Sequence, residues 1–84
     1  METSEIRAVV REYILKEFLP GEDPEALTDD LQLVSGRILD SLATLRVVAF
    51  LEEKFGFEFE AHEVGVQNLD SIDLMVKFVE EKKR

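Results

Sequence analysis

Apolar residues recur at helical spacing in three segments of this chain, and Gly or Pro separates the segments. In the first segment, residues 3–19, apolar side chains fall three or four positions apart with charged residues between them. They are Ile6, Val9, Val10, Tyr13, Ile14 and Phe18. This spacing predicts an amphipathic helix, and Pro20-Gly21 predicts its end.

The second segment runs from Ser41 to Phe55, and Gly56 stands where a helix commonly ends in a left-handed residue. Nine of the fourteen residues from 42 to 55 are apolar, which is more than a single buried stripe requires. We therefore expect part of the apolar surface of this helix to remain near solvent, among the side chains Val47, Phe50 and Leu51.

The last segment predicts a helix from Ile72 to about Glu81, capped by Asp70 or Ser71, with an inner face formed by Ile72, Met75, Val76 and Val79. Before it, residues 57–60 alternate in polarity as a strand would. A lone strand has no partner here, so we interpret them as an extended connector with Phe57 and Phe59 turned inward. A single helical turn is predicted at 61–64.

Three longer helices and one short helix predict an all-α fold, a small four-helix bundle within one domain, residues 1–84. The connection between the first two helices is long for so small a domain, which indicates a functional role or a short helical turn within it. Five apolar residues are expected to hold it against the core: Leu27, Leu31, Leu33, Val34 and Ile38.

The charge of the chain restricts its partners. Nineteen acidic residues against ten basic ones give a net charge of −9, which disfavours nucleic acid and anionic lipid and favours basic protein surfaces. The alternative is that the charge only maintains solubility. No apolar run has the length of a membrane span, and residues 1–5 lack a signal-peptide pattern, so we expect a cytoplasmic monomer without membrane insertion.

Catalytic and metal-binding patterns are missing from the sequence. The chain has no Cys and one His, and His62 has no second ligand at metal-site spacing, so we expect it to be a solvated surface residue. No phosphate-binding Gly loop occurs, and no nucleophile has a base nearby in sequence. We therefore expect that the chain is not an enzyme and holds no metal.

The segment from Gly36 to Leu42 places a Ser hydroxyl at the start of a helix, directly after Asp40. Free backbone N–H groups and the helix dipole favour a phosphate ester at such a position. The alternative is that Asp40 or Ser41 only caps the helix.

The surroundings of this segment resemble the acyl and peptidyl carrier protein family. Asp40-Ser41-Leu42 is followed, at the family's distance, by the residues Leu-Glu-Glu-Lys-Phe-Gly at 51–56. The resemblance extends to the Asp-Asp-Leu at 29–31 and to the final helix. It implies that Ser41 carries a 4′-phosphopantetheine arm, placed there by a phosphopantetheinyl transferase, and that Asp40 assists the transfer. The arm would hold an acyl or aminoacyl group as a thioester.

Asp70-Ser71 repeats the Asp-Ser pattern before the last helix, and local chemistry does not separate the two serines. Position in the family pattern selects Ser41. Ala43 and Arg46 stand where fatty-acid-synthesis carriers usually have acidic residues. The chain is therefore more similar to carriers served by an adenylating ligase, such as D-alanyl carrier proteins, with a downstream acyltransferase or synthase as a further partner.

Partner docking is predicted on the second helix, at Arg46, Val47 and Phe50. An alternative function also uses this helix. In that alternative, the chain is an unmodified helical adaptor that keeps the fold and binds other proteins through the apolar residues.

Overall fold

The fold was analysed in a computed structural model, which describes residues 2–83. It contains four α-helices: α1 (Thr3–Phe18), α2 (Ser41–Phe55), α3 (Val66–Leu69) and α4 (Ile72–Lys82). Two 3₁₀ turns lie at Pro24–Ala26 and Ala61–Glu63. No strand occurs within residues 2–83. The predicted all-α bundle, with three longer helices and one short one, is confirmed.

Helix α1 begins with a reciprocal cap, in which the side chains of Glu2 and Glu5 each accept a hydrogen bond from backbone at the helix start. It ends at Phe18, just before Pro20 as predicted. Its buried stripe consists of Ile6, Val10 and Ile14, and the helix packs mainly against α4. The 3.6-residue period therefore fixes which face of α1 enters the core.

The connection from residue 19 to residue 40 is held down along its length. Leu27, Leu33 and Leu39 are buried, and Leu31, Val34 and Ile38 pack against the same core. The Arg11 guanidinium donates to the backbone oxygens of Pro24 and Leu27, and the Asp73 N–H donates to the Asp29 carbonyl at 3.0 Å. The predicted anchoring of the long connection to the core is confirmed, and these contacts fix its course up to Ser41.

Helix α2 has both of the predicted ends. The Asp40 side chain caps its first turn, and Gly56 follows Phe55 with φ 73°, in the left-handed region that Gly occupies at little cost. The buried face consists of Thr44, Val47, Val48, Leu51 and Phe55. Of the three side chains among which surface exposure was expected, Val47 and Leu51 are buried and Phe50 is half-buried. The apolar surface that this helix exposes belongs mainly to Leu42 and Leu45.

The connector after α2 is extended, as predicted, and both of its Phe side chains pack against the core. The rings of Phe57 and Phe59 lie 5.9 and 4.6 Å from the ring of Phe78 on α4, measured between centroids. The Phe59 N–H donates to the Glu52 carboxylate at 2.8 Å, which ties the connector to α2.

Helix α4 begins at Ile72 and is capped by Ser71, whose hydroxyl oxygen accepts a hydrogen bond from the Leu74 N–H. All four residues of its predicted inner face are buried, and Phe78 is buried beside them. The four-residue helix α3 was not predicted. The short helical turn predicted at 61–64 is a 3₁₀ turn, Ala61–Glu63. Among the described helices, none has the length and apolar character that crossing a bilayer requires.

Candidate functional site

Ser41 is the first residue of α2, and its side chain is exposed. Within residues 2–83 no hydrogen bond engages its hydroxyl group. The preceding Asp40 does the capping: its carboxylate accepts from the Ala43 N–H at 2.8 Å, and its carbonyl accepts from the Thr44 hydroxyl at 2.8 Å. The helix start is therefore held without Ser41, and the Ser41 hydroxyl remains available for chemistry.

A groove of about 580 Å³ lies beside Ser41. It is bounded by the long connection, the first turns of α2 and the segment before α3. Its lining includes Val34, Arg37, Leu39, Thr44, Leu45, Val64 and Gly65. A larger depression of about 940 Å³ runs along α1 and shares no lining residue with it. Because only the smaller groove adjoins the exposed hydroxyl, it is the one that bears on a group attached at Ser41.

Ser71, the second serine of the repeated pattern, has different surroundings. It is 8% exposed, and its hydroxyl is engaged in the cap of α4. The neighbouring Asp70 carboxylate accepts from the N–H of Val34, from the N–H of Ser35 and from the Ser35 hydroxyl, at 2.9, 2.8 and 2.7 Å. Asp70 and Ser71 therefore join the long connection to the start of α4.

Asp70 is ionised more readily than an ordinary Asp. Burial would raise its pKa, but the three hydrogen bonds from Ser35 and Val34 favour the charged form and hold its pKa below the usual value. The carboxylate therefore acts as a fixed negative anchor for the loop that borders the groove.

The three predicted docking residues are not equally accessible. Val47 is 1% exposed, so its assignment as a docking residue is corrected: a buried side chain offers no surface to a partner. Arg46 is exposed, but its guanidinium lies 2.9 Å from the Glu17 carboxylate and 5.3 Å from the centre of the Phe18 ring. Phe50 is half-buried and stacks on Tyr13 with 3.8 Å between ring centres.

The exposed apolar side chains near Ser41 are different ones. Leu42 is 70% exposed and Leu45 56%. Val66 of α3, which follows the groove residue Gly65, is 49% exposed. Leu42 was predicted to matter only as part of the Asp-Ser-Leu motif, and no docking role was predicted for Leu45 or Val66. The signal for Leu45 is its spacing, since it falls one turn of helix after Ser41.

Arg37 is a further residue that the sequence analysis passed over. It has φ 64°, and it is the one non-glycine residue in residues 2–83 with a positive φ. This conformation costs a non-glycine residue about 1–2 kcal/mol. Its exposed side chain lines the groove beside Ser41. The Gly36-Arg37 pair within a polar stretch was the available signal for a turn at this point.

Two comparisons bear on the identity of the chain. No protein-family model matches it. It is 40% identical over 57 residues to acyl carrier protein 2, mitochondrial, of Arabidopsis thaliana. The chain is similar to an acyl carrier protein. The match covers 68% of this chain and 44% of that protein, so the matched stretch spans less than half of the relative's length.

This similarity to an acyl carrier protein supports that family and, in general terms, a carrier role for the chain. It also supports the prediction that the chain is not an enzyme, because carrier proteins are not enzymes. It does not bear on the D-alanyl subtype. The cytoplasmic location stays a prediction, since the printed name of the relative is that of a mitochondrial protein.

The residues at Ser41 fit the arm that acyl carrier proteins carry. The hydroxyl is exposed and has no partner among residues 2–83, and the groove beside it is open to solvent. The first turn of α2 offers backbone N–H groups and the positive end of the helix dipole, which favour a phosphodiester. If it were attached there, 4′-phosphopantetheine would supply a thiol that can form thioesters.

The prediction that His62 is a surface residue is confirmed. The sequence showed no second ligand at metal-site spacing, but the turn brings ligand atoms of Glu60, His62 and Glu63 within 4.8 Å of one another. Both carboxylates already have partners: they form the reciprocal cap of the 3₁₀ turn, and Glu63 also lies 2.9 Å from the Lys82 ammonium. These contacts account for the cluster without an ion.

Proposed function

We propose that this chain is an acyl carrier protein that holds its cargo as a thioester on a 4′-phosphopantetheine arm attached to Ser41. The observation that carries the proposal is the contrast between the two Asp-Ser pairs. Ser41 lies beside a groove, and its exposed hydroxyl has no partner in the described part of the chain. Ser71, in contrast, is buried and engaged in a cap.

Attachment of the arm is a phosphoryl-group transfer from coenzyme A. The Ser41 oxygen forms a bond to the phosphorus that bears pantetheine, adenosine 3′,5′-bisphosphate leaves, and the hydroxyl proton passes to a base. A phosphopantetheinyl transferase with Mg²⁺ would provide the catalysis. In this proposal Asp40 assists by fixing the start of α2, so that the Ser41 hydroxyl points away from the bundle, towards the transferase.

The surface around Ser41 suits contact with enzymes. Leu42 and Leu45 offer apolar area close to the attachment point, and Val66 adds exposed apolar area next to the groove residue Gly65. Apolar side chains of this kind commonly form the centre of protein interfaces. The net charge of −9 favours partners with basic surfaces around that centre. We propose that the partners are the transferase, an adenylating ligase that loads the arm, and a downstream acyltransferase or synthase.

We propose small cargo, either an amino acid or a short acyl group. The described Phe rings are packed: Phe55 and Phe78 are buried, and the other four are partly buried against the same core. Space for a long chain inside the bundle would require their displacement, at a cost of several kcal/mol. The open groove beside Ser41 accommodates a short group without that cost.

The absence of Cys from the sequence gives a direct test. After treatment with coenzyme A and a transferase, the purified chain should acquire one thiol, which a maleimide detects, because the arm brings the only thiol in the protein. The untreated chain is the control and should not react. A treated chain that contains no thiol would contradict the proposal and leave the unmodified adaptor, for which the exposed Leu42 and Leu45 are the supporting observation.

A further inference from the structure

Arg37 differs from the other arginines that the structure describes. Arg7 pairs with Asp29 and Asp73, Arg11 pairs with Asp29, and Arg46 pairs with Glu17. Within residues 2–83, no hydrogen bond or ion pair engages the Arg37 guanidinium. In a chain with almost twice as many acidic as basic residues, an arginine without a carboxylate partner is an exception.

The location of this arginine is fixed by its surroundings. The Asp70 carboxylate holds the N–H groups of Val34 and Ser35, and the Arg37 N–H donates to the Val34 carbonyl at 3.1 Å. Buried Leu39 anchors the chain on the other side. The turn therefore holds Arg37 at the edge of the groove, four residues before Ser41, and both side chains line that groove.

The charges around the groove define what the guanidinium can bind. Arg37 and Asp40 are the charged residues that line it. A phosphodiester on Ser41 would add a negative charge next to the Asp40 carboxylate, within a protein of net charge −9. Like charges this close disfavour each other, and a guanidinium donates to phosphate oxygens in a matching geometry.

We propose that Arg37 binds the phosphodiester that joins the arm to Ser41. This inference rests on the proposed function, since it assigns a partner to the group attached at that site. Arg37 is a positioning residue: it compensates the charge of the diester beside Asp40 and restrains the first part of the arm at the groove.

The experiment compares apo and modified protein for the wild type, Arg37→Gln and Arg37→Lys. Gln keeps much of the side-chain length without the charge, and Lys restores the charge without the planar fork. Each form is checked by intact mass, and its melting temperature is measured at low and high salt. Lys77→Gln is the control, because Lys77 is an exposed cation on α4 that does not line the groove.

We expect the change in melting temperature on modification to be more favourable in the wild type than in Arg37→Gln by about 1–8 °C at low salt, which is the range for an exposed ion pair in a domain of this size. The difference should shrink at high salt and be partly restored by Lys. The ³¹P resonance of the diester should shift in Arg37→Gln and remain unchanged in Lys77→Gln.

Two results would overturn the inference, and they can be told apart by whether the wild type takes up the arm. If all variants take up the arm, but modification changes the melting temperature and the ³¹P resonance equally with and without Arg37, the inference fails and the proposed function stands. If the wild type gains no mass, the proposed function fails, and the inference fails with it.

Discussion

Two Asp-Ser pairs in this chain have the same local sequence and opposite surroundings. Asp40-Ser41 leaves its hydroxyl exposed, whereas Asp70-Ser71 is turned inward, where Asp70 binds Val34 and Ser35 and Ser71 caps α4. Sequence reasoning selected Ser41 by its position in a family pattern. The residues next to each serine do not show which one is exposed, because the hydrogen bonds that engage Asp70 come from a loop about 35 positions away.

Because of Asp70, the free energy of unfolding should depend on pH. Its pKa is lowered in the folded protein, so its stabilising effect is complete above the ordinary Asp pKa and is lost as the pH falls through the lowered value. Asp70→Ala should reduce the free energy of unfolding at pH 7 by about 1–2 kcal/mol, allowing for partial exposure. Urea unfolding of the wild type and the variant, at pH 7 and near pH 3, measures the effect.

The difference between wild type and Asp70→Ala should narrow at the lower pH. Glu81→Ala, which removes an exposed carboxylate from α4, is the control and should have little effect at either pH. An equal loss of stability for Asp70→Ala at both pH values would show that its charge is not what holds the loop.

The ends of α2 could be predicted from sequence, but the orientation of its exposed face could not. Asp40 and Gly56 give local signals for the start and end. Apolar residues cover more than one face of the helix, so several rotations would bury a similar area. Contacts with α1 accompany the observed rotation: Arg46 meets Glu17, and Phe50 stacks on Tyr13. Such pairs join residues far apart in sequence, and periodicity within one segment does not report them.

Helix α3 was missed for a related reason. It has four residues, Val66–Leu69, and one turn is too short to display a helical period. Its position depends on tertiary contacts, since Leu69 is buried and α3 packs against α4. Gly65 correctly indicated the end of the preceding helical turn, but the sequence did not reveal the helix that follows.

Exposed Leu45 and buried Val47 on α2 should differ in their effects on arm transfer and on stability. Leu45→Ala should change the free energy of unfolding by less than about 0.5 kcal/mol, because the side chain is 56% exposed, and should slow arm transfer by a transferase. Val47→Ala should reduce stability by about 2 kcal/mol, because it leaves a cavity in the core, and should leave transfer to the folded protein nearly unchanged.

Urea unfolding and the initial rate of arm transfer, measured for both variants below their unfolding transitions, test this assignment. The opposite pattern is slowed transfer in Val47→Ala and unchanged transfer in Leu45→Ala. It would show that the transferase docks at Val47, as expected from sequence, and not at Leu45.

At the scale of the whole molecule, the ion pairs that join the helices lie apart from the groove beside Ser41. Ion pairs of Arg7 and Arg11 with Asp29 and Asp73 tie α1, the long connection and α4 together. The opening of the groove, the exposed apolar residues and Ser41 belong to the start of α2 and the segments beside it. An arm attached there would extend into solvent while the helices remain packed, as delivery of cargo to other enzymes requires.

The intact mass of the chain after incubation with coenzyme A and a phosphopantetheinyl transferase tests the central claim most directly. The wild type and Ser71→Ala should each gain the mass of one phosphopantetheine, and Ser41→Ala should gain none. Loss of the α4 cap should cost Ser71→Ala about 1 kcal/mol of stability, so helical circular dichroism is recorded to verify that it is folded. A modified Ser41→Ala protein, or an unmodified wild type, would contradict the assignment of Ser41 as the attachment site.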